Sequence, residues 1–363
     1  MKCVIPNIIQ QKTEKNTMKA AIAQGDGELT FAEVPVPEPN EYQCLCKILA
    51  CATCSGTDRK ILAGTLPWNE TYPGILGHES VGRVVKLGSR VRNAQIGDLF
   101  LRPAAVYPGE KLGGYTSLWG GFAEYGLITD IQALREDQPD FKPNNYCIYQ
   151  QKIPSDIEIS PADATLLITL KEVASSVANA GVRFRSSLVV MGVGPVAMGM
   201  CYFAKLYGAY PIISIGRRDE PLSQMRQVGV DFTVNNRTED AVARVKAITA
   251  DQGVDFVIDT TGDSDLLLEA GRFLTAGGKM VPYATGHSFQ QIVDRSKGPA
   301  RWDLVFSGPS EELAHQYLIS LQRMKLLSPS IFYSHRMPFS QLAKGFDLLK
   351  KREASKIVFE MEN

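Results

Sequence analysis

From about residue 170 the chain alternates apolar runs of strand length with segments of helix length: SLVVMG, PVAMGMCYFAKLYG, YPIISIG, EPLSQMRQVG, VDFVIDTTG, DLLLEAGRFL and GGKMVPYA. Strands this apolar are covered on both faces, and parallel neighbours need a long crossover, which a helix supplies. The alternation therefore predicts a parallel sheet with helices on both faces. Past about residue 309 come two helical segments, EELAHQYLISLQRM and FSQLAKGFDLLKK, around the strand-like SPSIFYSHRM, and then a last strand, KIVFEME. Residues 18 to about 165 differ: polar and apolar residues alternate between Gly, Pro and Asn breaks, as in short antiparallel strands. Residues 1–17 match no element and read as a flexible lead-in or the product of an upstream start codon.

Composition excludes several partners. The 39 Lys+Arg balance 39 Asp+Glu in 363 residues, so no tail or patch is built to hold a nucleic acid. No run approaches the ~20 apolar residues that span a bilayer, and the first 17 are too polar for a secretory signal, so the expected compartment is the cytoplasm. Seven cysteines form no even framework of disulfides. A special cysteine here is a metal ligand or a small buried hydrophobe. The length suggests about two domains.

The strand ending at Met191 runs into Gly192-Val193-Gly194-Pro195-Val196-Ala197-Met198-Gly199 and a helical pattern. This is Gly-x-Gly-x-x-Gly/Ala in the strand-to-helix context that gives the motif its meaning. Gly192 permits a tight turn, Gly194 lets backbone approach a pyrophosphate, and Ala197 allows close helix packing. Unpaired N–H groups at the helix start, beside Pro195 and Val196, would hold the phosphates. The next strand ends at Gly216-Arg217-Arg218, where an acid would bind the 2′-hydroxyl of NAD. Two arginines after a small residue suit a 2′-phosphate, so NADP is favoured over NAD. The alternative is a solvated arginine pair partnered by Asp219 and Glu220.

The first half contains Cys51-Ala52-Thr53-Cys54-Ser55-Gly56-Thr57-Asp58, then Gly77-His78-Glu79-Ser80-Val81-Gly82, Gly97-Asp98 and Gly120-Gly121-Phe122-Ala123-Glu124-Tyr125; Gly277-Gly278-Lys279 follows the glycine turn. Taken in order, these resemble the zinc-type medium-chain dehydrogenase/reductase family, the alcohol and polyol dehydrogenases, over residues 18 to 363. The resemblance implies an α/β chain with a GroES-like β domain (18–165, completed by 309–363) and a Rossmann doubly wound parallel-sheet domain (166–308). It also implies Cys54 and His78 as zinc ligands, Glu79 as an outer or exchangeable ligand, and Thr57 as the hydroxyl that relays the substrate's proton. Thiolate and imidazole suit Zn²⁺, which acts as a Lewis acid on an alcohol or carbonyl oxygen. A small-molecule alcohol or carbonyl substrate and a homodimer or homotetramer follow from the same resemblance.

The sequence departs from the family at two ligands. Ser55 stands where the family carries its cysteine, with Cys54 one residue earlier. Counting back from Gly192 to the third ligand reaches the apolar Leu167 or Ile168, with Glu172 the nearest acid. No cysteine lies between Leu99 and Gly120, so no structural zinc is expected. Two other readings stay open: a metal-free reductase acting on an enone or quinone, and a nucleotide-binding protein without catalysis.

Cys44 and Cys46 share a strand face and read as core, as do Cys147 and Cys201. Thr260 and Thr261 either touch the nucleotide or shape their turn. Trp68, Tyr72, Tyr115 and Trp119 are either a substrate wall or buried loop anchors. His287, His315 and His335 lack ligand-spaced partners and read as structural.

Overall fold

The computed structural model describes residues 16–66, 71–284 and 292–362. The alternating region forms a six-stranded sheet in the order Phe232–Asn235, Ile212–Gly216, Leu188–Met191, Val254–Asp259, Leu274–Pro282 and Asp303–Leu304. Every pairing in it is parallel. Both faces are packed, as the apolar strands require: Val189 and Met191 join one hydrophobic cluster, Leu188 and Val190 another. The chain builds outward on one side of Leu188–Met191 and then crosses to the other. The crevice at the carboxyl ends of Leu188–Met191 and Val254–Asp259 is therefore a topological switch point, where ligands bind in such sheets.

The β-textured region, with the chain's last strands, forms a seven-stranded and a four-stranded sheet. Strand Gln43–Ala52 pairs with Glu79–Leu87, Tyr125–Thr129 and Ile357–Glu360. Chain segments about 300 residues apart thus meet at one strand. The first strand, Thr17–Ala23, begins one residue before the expected start, and Ser55–Leu62 is a short helix within the β region.

Helix Pro161–Ala180 starts inside the stretch read as β. Its start is well signalled: the Ser160 side chain accepts from the Asp163 N–H, Pro161 occupies the first turn, and Gly181 ends it at φ 93°. It is buried nearly all round, because it packs on strands Gln43–Ala52 and Glu79–Leu87 and on helices Pro195–Leu206 and Glu311–Arg323. At Gly199 the approach of helix Pro195–Leu206 is so close that a Cβ would stand 2.7 Å from Val173 Cγ2. Gly199→Ala gains about 1 kcal/mol of helix propensity, whereas overpacking costs about 1–3 kcal/mol. Denaturant titration should show a net loss of about 1 kcal/mol; a variant as stable as wild type would contradict the tight contact.

His315, on helix Glu311–Arg323, is buried with Nε2 2.9 Å from the Lys152 carbonyl. Burial, then the Lys171 ammonium, push its pKa down to about 4. The fold therefore favours neutral imidazole. This contribution is complete above the unfolded value of about 6.5 and is lost as pH falls toward 4, a difference on the order of 3 kcal/mol. His315→Gln should flatten the fall in unfolding free energy between pH 6.5 and 4, measured against wild type; parallel curves would contradict it.

Candidate active site

Backbone register assembles the metal-ligand types. Ala52 is paired with Glu79 and Cys51 with Ser80, so the residues that continue each strand, Thr53-Cys54 and His78, lie side by side. Gly77 is required there: its φ is 107°, and a Cβ would stand 2.6 Å from the Phe122 ring. Cys54 caps helix Ser55–Leu62 in an extended conformation, and its N–H donates to Asp58 Oδ2 at 2.8 Å. One ligand atom each from Cys54, His78 and Glu79 then lies within 4.8 Å of the others, the one such cluster among the described residues. Ser55 turns away, its hydroxyl donating to the Ser355 carbonyl at 2.8 Å.

His78 Nδ1 lies 3.2 Å from Asp58 Oδ1, both groups buried, and Nε2 lies 3.9 Å from Glu79 Oε1. Burial disfavours the imidazolium, but the Asp58 carboxylate and then Cys54 together outweigh it and hold the His78 pKa well above its ordinary value. An imidazole braced by a carboxylate on one nitrogen presents the other to a metal. Tetrahedral bonds of about 2.0–2.3 Å place ligand atoms about 3.3–3.8 Å apart, so closure on zinc needs shifts of about 1 Å. The donor set fits the ion.

The third ligand sought on helix Pro161–Ala180 is absent from the positions reached by counting. Leu167 and Ile168 are fully buried in the core. Glu172 does not replace them: its Oε1 accepts from Arg102 Nη2 at 2.7 Å, and burial, then the neighbouring Glu311, push its carboxyl up. Thr169 instead reaches the site, donating to Glu79 Oε1 at 2.8 Å, while Lys356 Nζ lies 2.5 Å from Glu79 Oε2. Sequence reading passed over Lys356, Thr169 and Arg102. A lone lysine opening the apolar strand KIVFEME was the one available signal.

Beside His78 lies a pocket of about 10 Å³, room for about one water, lined by His78, Ser80, Arg102, Ala104, Trp119 and Tyr146. Trp119 stacks on Tyr146 with centroids 4.6 Å apart. Arg102, at φ 59°, donates to the His78 carbonyl at 2.9 Å and also pairs with Glu311. Of the described loop aromatics, Trp119 alone reaches this pocket. Tyr72 and Tyr115 pack into hydrophobic clusters, and Trp68, like His287, lies outside the described residues. Thr57 Oγ1 is 3.4 Å from Cys54 Sγ.

The glycine turn sits at the switch point. Gly192 has φ 123°, and a Cβ there would collide with Thr260 Oγ1. Gly194 caps helix Pro195–Leu206 with open space where its Cβ would be, Pro195 fills the first position, and the N–H of Val196 belongs to the unpaired first turn. Gly216 is glycine because a Cβ would press on Val193 Cγ1 at 2.6 Å. Arg217 pairs with Asp263 at 3.2 Å, and exposed Arg218 makes no ion pair among the described residues. Asp219 accepts from Asn235 Nδ2 at 2.6 Å, and among the described residues neither it nor Glu220 forms an ion pair with the arginines. Thr260 donates to the Met191 carbonyl and Thr261 to Asp259, which is turn chemistry. Cys44 and Cys46 share one buried cluster, Cys147 and Cys201 are buried, and burial pushes the Cys44 thiol up to about 12. His335 contacts Ser334.

Known proteins are similar to this chain in sequence and fold. Residues 40–135 match the alcohol dehydrogenase GroES-like domain, and 195–297 the zinc-binding dehydrogenase domain. Sorbitol dehydrogenase of Bacillus subtilis (strain 168) is 30% identical over 274 residues, 74% of this chain and 75% of that protein. NADP-dependent isopropanol dehydrogenase of Thermoanaerobacter brockii is 25% identical over 346 residues, 92% of this chain and 97% of that one. The crystal structure of 2R,3R-butanediol dehydrogenase from Bacillus subtilis shares the fold, with a TM-score of 0.77 at 21% identity over 95% of this chain and all of that one. With a GroES-like β domain and a Rossmann domain, the chain belongs to the zinc-type medium-chain dehydrogenase/reductase family and is an oxidoreductase acting on CH–OH groups.

Proposed function

We propose that the chain is an NADP-preferring, zinc-dependent alcohol or polyol dehydrogenase that transfers hydride reversibly between a small alcohol or carbonyl substrate and the nicotinamide. The observation that carries this is the convergence of Cys54, His78 and Glu79 beside a pocket walled by Trp119 and Tyr146. The proposal divides the chain into a catalytic unit, 18–165 with 309–363, and a cofactor unit, 166–308, with the reaction between them. A homodimer or homotetramer in the cytoplasm completes it; no described helix is long and apolar enough to cross a membrane.

When bound, zinc polarises the substrate oxygen and so eases departure of hydride from the adjacent carbon. Cys54, His78 and Glu79 would hold it, with Asp58 fixing the His78 ring. Thr57, next to Cys54 and partly exposed, would relay the alcohol proton to solvent in oxidation and back from solvent in reduction. The Trp119–Tyr146 stack and Arg102 wall the site and limit the space beside His78 to about one water. On the cofactor side, the N–H groups around Gly194 and Val196 hold pyrophosphate, and Arg217 with Arg218, which makes no ion pair among the described residues, hold the 2′-phosphate.

A metal-free reductase of enones or quinones is the second reading. It is favoured by the apolar Leu167-Ile168 and by the occupation of Glu79 by Lys356. Metal analysis separates the two. His78→Ala should reduce zinc from about one per chain to near zero and turnover to background. Full turnover in that variant, or in zinc-free wild type, would sink the zinc mechanism. Replacing Arg217 and Arg218 together by Ala should raise the Kd for NADPH about 10- to 100-fold, the worth of a charge-assisted contact, and that for NADH by less than about threefold. Equal effects on both cofactors, by fluorescence titration, would contradict NADP preference.

A further inference from the structure

Lys356 is a buried lysine with one carboxylate partner among the described residues. Its Nζ lies 2.5 Å from Glu79 Oε2 and donates to Thr169 Oγ1 at 3.0 Å, while Thr169 donates to Glu79 Oε1. Both oxygens of the third donor are therefore engaged by the protein itself. Backbone holds the lysine in place: the Thr53 N–H donates to the Ile357 carbonyl, and the Ile357 N–H donates to Thr53 Oγ1. Lys356 and Cys54 flank this bridge, one residue to either side of it.

We propose that Lys356 is the resident counter-ion of the site and competes with a bound metal for Glu79, lowering the chain's affinity for that metal. The proposal rests on the zinc reading above. Two effects of the lysine oppose each other. By bracing a ligand carboxylate it favours binding, a contribution typically worth 10- to 100-fold in metal affinity. As an ammonium it repels a divalent ion only a carboxylate's breadth away, in a site where little water screens the charge. Repulsion at this range is the larger effect. With Lys356 in place, Glu79 is neutralised without metal, so the site is assembled before the ion arrives.

The test compares wild type with Lys356→Met in zinc titrations against a chromophoric chelator, and in thermal melts of the metal-free proteins. The variant should bind zinc at least about tenfold more tightly. It should also melt at a lower temperature without metal, because Glu79 loses its counter-ion in a buried site. Adding Glu79→Gln should restore the metal-free melt and abolish the gain in affinity, showing that the effect runs through Glu79. Should Lys356→Met not fold, Lys356→Gln takes its place.

If wild type binds zinc and the variant binds it no more tightly, the proposal fails alone. If neither binds zinc, the proposal and the zinc reading fail together. Zinc uptake by the variant only would uphold the competition and remove zinc from the native mechanism.

Discussion

The site depends on the pairing of strand Gln43–Ala52 with its neighbours at its carboxyl end. On one side the antiparallel register Ala52 to Glu79 brings His78 and Glu79 to the turn where Cys54 begins a helix. On the other, Val358 pairs with Ala52, so the last strand delivers Lys356 to the same turn. A shift of one residue in either pairing would send alternate side chains to the opposite face and dissolve the cluster. The positions of cysteine, histidine, glutamate and lysine are thus consequences of ladder hydrogen bonds made by residues with no chemistry of their own.

Helix Pro161–Ala180 is the second support. It is apolar on nearly every side because it is shared: the β sheet lies on one flank, and helices Pro195–Leu206 and Glu311–Arg323 on others. Leu167 and Ile168 pack the core where a family member would carry a ligand, and Thr169 supplies a hydroxyl to Glu79 instead. Through Val173 the same helix meets Gly199, one turn into the helix that would receive the pyrophosphate. One element therefore backs both the metal ligands and the phosphate turn.

Motifs built from neighbouring residues were legible in the sequence. The glycine turn and its helix stand where strand-then-helix texture put them, because their geometry depends on local backbone: positive φ at Gly192 and a capped start at Gly194. Cys44 and Cys46 were legible as core for a similar reason, the apolar strand pattern around them. The partner of Glu172 was not: it was the acid nearest the ligand position reached by counting, and Arg102, 70 residues away, takes its carboxylate. Neither was Tyr146, which lines the pocket where it stacks on Trp119, 27 residues away.

The sequence by itself determined the fold class, the order of the two kinds of sheet, the phosphate turn and the presence of Cys54, His78 and Glu79. The fold elements and the phosphate turn follow from periodicity and short spacing, which local sterics and hydrogen bonding enforce; the three residues were marked as ligands by the family resemblance. Tertiary structure alone decided that Cys54 rather than Ser55 faces His78, that Glu79 is gripped by Thr169 and Lys356, and that Arg217 pairs with the distant Asp263 rather than with the neighbouring Asp219. Each joins side chains far apart in the chain or chooses between adjacent ones. Such choices rest on strand register and on competition for buried charge, and neither is written in any local stretch of residues.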